Sequence, residues 1–318
     1  MYSRWSNAAV VILWLSAMSW LLVEKVLPPL LVGEPPSYRT IVEAQRGEPP
    51  VGWKMSFDGR RLGWALSTTT PQPENITEVH SWVHFDQLPL EDLTPGWLRA
   101  LVRPAEQPPG SLEMDAKNTT MIDPLGHLSG FKSEVRVKPL DDLIRMQGTI
   151  EGNQLKFEIR TGGLSYEMEA QIPQNALLSD ALSPRTQLPG IRPGQKWTVP
   201  VYSPLRPPSH PLEILQAEVT GTEPIVWNGR TVQTLLVVYR SDPGYGLGSQ
   251  ERPRGKLWVR RDGTVLKQQV MIFNSTMIFV RLSPDETAEL ERKAAELERK
   301  GPLLQRLSER KRDKSRPL

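Results

Sequence analysis

The chain has no cysteine among its 318 residues. This absence excludes disulfide bonds, a thiolate nucleophile, cysteine-ligated zinc or iron-sulfur centres, and a lipidated cysteine near the N-terminus. Any folded domain must therefore be stabilised by its packed core. Seven of the ten tryptophans lie beyond the N-terminal segment, and each can bury a large apolar area in such a core.

Histidine is scarce, with four residues in the chain: His80, His84, His127 and His210. In the segment HSWVH, His80 and His84 would share one face of a helix at chelating distance. The apolar alternation around them predicts a strand instead, which separates them by about 13 Å. We therefore predict exposed strand histidines and no metal ligands.

No motif for a catalytic or nucleotide-binding site stands out. The glycine-rich segment PGYGLG at residues 243–248 lacks the preceding hydrophobic strand and following helix that direct backbone amides at a phosphate, so it predicts a flexible loop. Serine, histidine and aspartate are present, which leaves a hydrolase triad open in principle, but no nucleophile-elbow sequence is found. We predict no catalytic residues, no cofactor and no enzymatic activity.

Basic residues are concentrated at the C-terminus, although the pI of the whole chain is about 9.1. From residue 301 onward the chain has six basic and two acidic residues, a balance of +4 within an overall +3. The rest of the chain is therefore close to neutral. A basic charge confined to the tail does not predict a nucleic-acid partner.

The N-terminal segment has the composition of a membrane anchor. Residues 8–23 form an uncharged run, AAVVILWLSAMSWLLV, which spans about 24 Å as a helix and approaches the thickness of a bilayer core. Trp5 and Trp20 suit the interfaces, and Arg4 favours a cytoplasmic N-terminus. We predict that residues 1–27 form a cytoplasmic stub and a single transmembrane helix in the inner (cytoplasmic) membrane, with a β domain on the periplasmic or extracellular side.

A cleaved signal peptide is the alternative, because Ala17 and Ser19 place small residues where a signal peptidase cuts. The hydrophobic run continues beyond them through Leu22 and Val23, where a signal peptide normally becomes polar. This continuation favours retention of the anchor. Residues 28–50 then contain three Pro-Pro pairs, and this composition predicts an extended linker.

Residues 51–283 are predicted to form one large, mostly antiparallel β domain. Trp53, Met55 and Phe57 alternate with polar residues, a turn at Asp58-Gly59 follows, and the chain returns with apolar alternation from Leu62, so residues 51–68 indicate a hairpin. Residues 155–160 and 166–172 alternate in the same way, and residues 255–282 predict a three-stranded meander. Weaker segments bring the total to about a dozen strands: residues 78–86, 112–122, 131–138, 196–202, 213–221 and 231–240. Residues 93–102 favour a helix.

Four segments carry a resemblance to a known type of domain: GWKMSFDGRRLGWALS, GTIEGNQLKFEIRTGG, LPGIRPGQKWTVPVYSPL and GKLWVRRDGTVLKQQV. Across residues 51–283 the chain resembles the DUF3108-like β domain found N-terminal to the catalytic domain in some bacterial transglutaminase-like envelope proteins. The resemblance implies an open half-barrel of the lipoprotein-carrier type, which wraps a sheet around a helix and can shelter an acyl chain. Transglutaminase-like catalysis needs a cysteine nucleophile, so we expect neither that activity nor the catalytic domain here.

Residues 284–318 predict a charged helix followed by a basic tail. Ser283 and Glu286 form a capping box with Pro284 at the first helical position, and Gly301-Pro302 is expected to end the helix. A narrow apolar stripe follows from three residues: Leu290, Ala294 and Leu297. Two interpretations stay open: a solvated charged helix, or a docking helix for a partner with the basic tail on anionic lipid headgroups or cell-wall polymers.

Two functional classes follow from these predictions, with a third behind them. We favour a non-enzymatic, membrane-anchored structural or accessory subunit of an envelope assembly, with the membrane and an envelope protein as partners. The alternative is the binding of a lipid or another apolar ligand in a half-barrel, and the third is an uncharacterised hydrolase. An open apolar concave face would favour binding, whereas an interior filled by its own side chains would favour the accessory role. The oligomeric state stays open.

Overall fold

The computed structural model describes residues 4–23, 36–88, 112–138, 142–161, 164–173, 177–178, 183–202, 212–242, 253–272 and 275–314. The helices within these ranges are α1 (Arg4–Leu21), α2 (Tyr38–Gln45) and α3 (Pro284–Lys314). The strands are β1 (Val51–Phe57), β2 (Arg60–Pro71), β3 (Thr77–Leu88), β4 (Leu112–Ile122), β5 (Leu128–Lys138), β6 (Asp142–Glu151), β7 (Gln154–Thr161), β8 (Leu164–Gln171), β9 (Leu177–Leu178), β10 (Lys196–Tyr202), β11 (Leu212–Trp227), β12 (Arg230–Ser241), β13 (Gly255–Val259), β14 (Val265–Ile272) and β15 (Ser275–Arg281).

All of these strands belong to one sheet, in the order β8-β7-β6-β5-β4-β3-β2-β1-β15-β14-β13-β12-β11-β10-β9. The first and last strands, β1 and β15, pair at its centre, and a meander runs outward on each side. Neighbouring strands are antiparallel except β9 and β10. Among the described residues the edge strands β8 and β9 do not pair with each other, so the sheet is not closed into a barrel. The prediction of a mainly β fold with one large antiparallel sheet is confirmed.

The strands on either side of the central pair β1 and β15 form two halves of the sheet, which we call its wings. The two wings curl toward each other. Tyr202 at the end of β10 belongs to a buried cluster with Phe131 of β5 and with Leu155 and Phe157 of β7. These strands lie on opposite sides of β1 and β15 in the strand order. Side-chain packing therefore brings the wings together where no backbone ladder joins them.

The first predicted hairpin is confirmed, but its second strand contains a bulge. Asp58 and Gly59 have φ angles of 45° and 82°, as a two-residue hairpin loop requires. Met55 pairs with Gly63 while Ser56 pairs with Arg61, so one residue of β2 is left over. That residue, Leu62, packs in the inner core, whereas Trp64 packs against α3 on the other face. The predicted regular alternation from Leu62 through Trp64 is therefore wrong, because the bulge places these two side chains on opposite faces of the sheet.

The inner face of the sheet is filled with its own side chains. Trp53, Met55, Phe85 and Phe279 are all fully buried, with 0% relative exposure. They belong to one cluster that draws on strands of both wings and on Leu188 of the segment before β10. The large core expected from the tryptophan content is present, and it lies in the centre of the curled sheet.

Part of the predicted linker is a helix. Ser37 caps α2 by accepting a hydrogen bond from the amide of Thr40 at 3.2 Å. Ile41 and Val42 on the inward side of this helix are buried, and the Gln45 amide donates to Thr186 Oγ1 at 2.8 Å. The prediction of an extended spacer is wrong for these residues, because an apolar pair on one face gives the segment a core to pack against.

The N-terminal apolar segment forms helix α1, which has 18 residues and begins at Arg4. Among the residues that the structure describes, no helix has both the length and the apolar composition needed to cross a bilayer. The prediction of a transmembrane helix is therefore not supported. The polar positions of α1 that contribute to this are Arg4, Ser6, Asn7, Ser16 and Ser19.

Helix α3 begins with the predicted capping box. The backbone amide of Ser283 donates to Glu286 Oε2 at 2.8 Å, and the amide of Glu286 donates back to Ser283 Oγ at 3.3 Å. The helix continues through Gly301-Pro302 to Lys314, so the predicted end is wrong. An interior proline removes one hydrogen bond of the helix and its ring crowds the carbonyl four residues earlier, which can kink a helix without ending it.

The apolar stripe of α3 packs on the outer face of the chain's own sheet. Leu290 and Ala294 are buried against Trp64, with Leu297 partly buried beside them. The interpretation as a solvated helix is wrong for this stripe, because β2 and its neighbours cover it. Docking of α3 and the basic tail to a partner stays a prediction. The predicted helix at residues 93–102, the loop at 243–248, and residues 315–318 of the basic tail lie outside the described residues.

Candidate functional site

The histidines lie in different surroundings. His80 Nδ1 is 3.0 Å from Thr119 Oγ1 and His80 Nε2 is 3.3 Å from Glu78 Oε2. His84 is buried, and it contacts the side chain of Asp115 rather than that of His80. His127 lies near Asp123 in the turn before β5, and His210 is outside the described residues. The expected strand geometry is confirmed, but His84 is not exposed as predicted.

A polar and aromatic cluster surrounds His84 on the outer face of the sheet; we call it the His84 cluster. Its members are Trp64, Trp82, His84, Asp115 and Lys117. The register explains the arrangement: Trp64 pairs with His84, and His84 pairs with Asp115 across β2, β3 and β4. Trp82 pairs with Lys117 two residues further along the same face. Residues far apart in sequence are therefore fixed next to each other by backbone hydrogen bonds.

Hydrogen bonds hold the polar centre of the His84 cluster. His84 Nδ1 lies 2.8 Å from Asp115 Oδ1, and the indole Nε1 of Trp82 donates to the same oxygen at 3.1 Å. His84 Nε2 lies 3.4 Å from Asp86 Oδ1. Both ring nitrogens of a buried imidazole thus face carboxylates, so the ring orientation is fixed by its partners.

Aromatic side chains and helix α3 cover this centre. The Trp64 ring stacks on the His84 ring with centroids 5.2 Å apart, and it lies 5.4 Å from the Trp82 ring. Lys117 Nζ is 4.2 Å from the Trp82 ring centroid and 2.5 Å from Glu298 Oε1 of α3. The ammonium group of Lys117 therefore contacts both the face of the Trp82 ring and the Glu298 carboxylate. This double contact connects the sheet to the helix.

Three side chains on this face have the geometry of possible metal ligands. One ligand atom each from His84, Glu113 and Asp115 lie within 4.8 Å of one another. Glu113 is two residues before Asp115 on β4, so both side chains point to the same face. The sequence did not indicate this group, because the histidine pair considered there lies along β3 alone. These three side chains come from the two neighbouring strands β3 and β4.

A separate cavity lies at the turn between β4 and β5. Its volume is about 260 Å³. Leu128, Ile150 and Ile172 contribute an apolar wall, and Asp123 and His127 contribute a polar one. The carboxylate of Asp123 already accepts hydrogen bonds from the amides of Leu125 and His127 at 2.9 Å and 2.7 Å, so it has a structural task in the turn.

Several buried polar atoms have no hydrogen-bonding partner among the described residues. They include the indole Nε1 atoms of Trp53, Trp64 and Trp258 and the hydroxyl of Tyr202. Burial also raises the pKa of Tyr202. Because an unpaired buried donor costs free energy, these atoms are where water or a small polar ligand would be stabilising.

Comparison with known proteins gives similarities to solved structures, among them the following two. The chain is similar to a β-barrel-like protein of the domain of unknown function DUF1849 from Brucella abortus, with 9% identity and a TM-score of 0.44 over 74% of this chain and 95% of that one. It is also similar to a DUF1089 family protein from Pseudomonas aeruginosa, with 12% identity and a TM-score of 0.33 over 64% of this chain and 87% of that one. No family model and no curated protein matches the sequence.

Proposed function

We propose that the protein is a non-enzymatic structural or accessory component of the cell envelope, attached to a membrane by its N-terminal segment and acting through the surface of its β domain. The observation that carries this proposal is the filled inner face of the sheet. Trp53, Met55 and Phe279 have 0% relative exposure. An interior packed in this way leaves no room for an acyl chain along these strands, so the outer surface is the part available for interactions.

Helix α1 supports membrane attachment. Its apolar side chains are exposed to a high degree, including Leu13 at 72%, Trp14 at 59% and Leu21 at 53%. Removing apolar surface from water contributes about 25 cal/mol per Å², so lipid contact would stabilise such a helix. Arg4 at its start favours the cytoplasmic side for the N-terminus, and a β domain outside the cytoplasm is part of this proposal. The absence of cysteine is compatible with that location.

Binding of a lipid or another apolar ligand is the second candidate, and the cavity of about 260 Å³ near Ile150 and Ile172 favours it. A hydrolase remains the third, and among the described residues the pair formed by the buried His84 and the half-buried Asp115 is where it would be tested. The DUF3108-like resemblance of residues 51–283 is compatible with the first two candidates and is part of this proposal.

The membrane part of the proposal is tested by flotation of the full chain with phosphatidylcholine–phosphatidylglycerol vesicles. The wild-type chain is expected to float with the vesicles, and a variant with Ile12→Glu and Leu13→Glu is expected to remain in the dense fraction. Val226→Glu is the matched control, because Val226 is a 76% exposed apolar residue on the sheet. Equal flotation of the double variant and the control would contradict attachment through α1.

The accessory role is tested by native mass spectrometry of the full chain extracted from membranes. A protein that co-purifies in defined stoichiometry is expected. A bound lipid that is lost when Ile150→Glu blocks the cavity would favour the ligand-binding candidate instead. Hydrolytic turnover that survives stringent purification and disappears in His84→Gln, but not in His80→Gln, would overturn the non-enzymatic proposal.

A further inference from the structure

We propose that His84, Glu113 and Asp115 form a binding site for a divalent transition-metal ion such as Zn²⁺. Nitrogen from histidine and oxygen from aspartate or glutamate are ligand types that zinc accepts in proteins. One ligand atom from each of these three residues lies within 4.8 Å of the other two. This site goes beyond the proposed envelope function and does not depend on it.

The backbone places the three ligands before any metal binds. His84 on β3 pairs directly with Asp115 on β4, and Glu113 follows on the same face of β4 because strand side chains alternate. Zinc bonds of about 2.0–2.2 Å place tetrahedral ligand atoms about 3.3 Å apart. His84 Nδ1 and Asp115 Oδ1 are 2.8 Å apart, so these two atoms have to separate by about 0.5 Å to reach that geometry.

Neighbouring groups supply the outer shell that metal sites use. A ligating histidine usually directs its other ring nitrogen at a carboxylate, which orients the ring and increases its basicity. His84 Nε2 faces Asp86 Oδ1 at 3.4 Å in this way. A ligating carboxylate is usually hydrogen-bonded as well, and the Trp82 indole donates to Asp115 at 3.1 Å.

The surroundings also exclude much of the solvent from the His84 ring. The side chain of His84 is 7% exposed, and the Trp64 ring stacks on it at 5.2 Å. Helix α3 packs over Trp64 through Leu290 and Ala294. Electrostatic attraction between a cation and carboxylates is stronger where water is partly excluded. Three protein ligands leave a fourth position for water, as in open zinc sites.

A simple hydrogen-bonded pair is the competing explanation for this arrangement. Arg136 is the register partner of Asp115 across β4 and β5. Its positive charge could balance the carboxylate of Asp115 without a metal ion. The two explanations differ in the role of Glu113. A metal site uses its carboxylate as a ligand, whereas the 2.8 Å contact between His84 and Asp115 does not involve it. Glu113 is therefore the residue to change.

The test is a Zn²⁺ titration of the full chain, purified in detergent after treatment with a chelator. We expect one Zn²⁺ per chain by elemental analysis, and at least about tenfold weaker binding for Glu113→Gln. His80→Asn is the matched control, because His80 lies on the same strand and bonds elsewhere. Co²⁺ in place of Zn²⁺ should give visible absorption bands that disappear in Glu113→Gln.

Any of three results would overturn the metal site. The first is the absence of stoichiometric Zn²⁺ binding by the wild-type chain. The second is binding by Glu113→Gln with the affinity of the wild type, and the third is a loss of affinity in His80→Asn as large as in Glu113→Gln. Equal unfolding midpoints of the metal-free variants show that a loss of binding is not a loss of folding.

Discussion

The indole ring of Trp64 stacks on the imidazole ring of His84, with centroids 5.2 Å apart and planes inclined by 26°. The same indole packs against Leu290 and Ala294 of helix α3. One side chain of β2 therefore connects the polar centre of the His84 cluster to the C-terminal helix. The stability of the helix and the environment of His84 should change together.

Replacement of Leu290 by alanine tests how firmly α3 is attached. Leu290 is 8% exposed and packs against Trp64, so Leu290→Ala should lower the free energy of unfolding by about 2–3 kcal/mol. Urea unfolding followed by circular dichroism measures the change. The exposed Glu289 offers the control Glu289→Ala, which should change stability by less than about 0.5 kcal/mol. Equal effects would contradict the packing of this helix face on the sheet.

The capping box of α3 predicts a dependence on pH. Hydrogen bonds from the backbone amide and then the hydroxyl of Ser283 lower the pKa of Glu286. Because the folded pKa lies below the unfolded value of about 4.3, the stabilisation is fully present above that value and is lost as the pH falls through the folded pKa. The stability difference between wild type and Glu286→Gln should therefore shrink as the pH is lowered from about 5 to about 3.

Urea unfolding at pH 7, 5 and 3 checks this dependence. Ser283→Ala, which removes the hydroxyl of the cap, should cost about 1 kcal/mol at pH 7. Glu289→Gln on the same helix is the control for general charge effects. A Glu286→Gln difference that stays constant over the whole pH range would show that the capping carboxylate does not titrate as described.

Truncation of Phe279 tests whether the interior is filled as the burial indicates. Phe279 has 0% exposure, so Phe279→Ala should cost about 3–5 kcal/mol. The cavity that it leaves is apolar and should take up a small apolar compound such as benzene, whereas the wild-type interior should not. Tyr166→Ala is the control because Tyr166 is 55% exposed on β8. Benzene binding to the wild type at equal affinity would show that the interior is already open.

A methyl group at Gly63 should disrupt the pairing that positions His84. A Cβ at this position would lie 1.9 Å from the carbonyl oxygen of His84, so the two backbones would have to separate. Gly63→Ala should destabilise the protein by about 3 kcal/mol or more. In the control Gly255→Ala the nearest atom is at 3.2 Å, and the effect should be smaller. Thermal unfolding compares the two, and a stable Gly63→Ala variant would contradict the close approach of β2 and β3.

Local sequence patterns predicted much of the secondary structure but not which elements pack against each other. The alternation of Trp53, Met55 and Phe57 and the Asp58-Gly59 turn predicted the hairpin found at β1 and β2. The same reasoning put Leu62 and Trp64 in one alternating run, because a bulge has no signal in the apolar pattern. Helix α2 was missed because the Pro-Pro pairs around it suggested an extended chain. Its apolar residues Ile41 and Val42 become buried only when the helix packs on the core.

The His84 cluster shows the same limit for the site. The segment VHSWVHF predicted a strand that carries His80 and His84, and that placement is correct. Which residues would join His84 could not be predicted, because Asp115 lies 31 positions away and its strand was among the weaker predictions.

By itself, the sequence determined the features that depend on neighbours in the chain: the alternating strands, the tight turns, the capping box at Ser283 and the exclusion of cysteine chemistry. Their physical causes act over a few residues, so they can be derived from local spacing. Only the tertiary structure decided that the ends of the domain meet at β1 and β15, that the wings curl together at Tyr202, and that His84, Glu113 and Asp115 converge. Those outcomes depend on which strands pair and on how their side chains fill the interior, and pairing between distant segments is selected by packing of the whole domain.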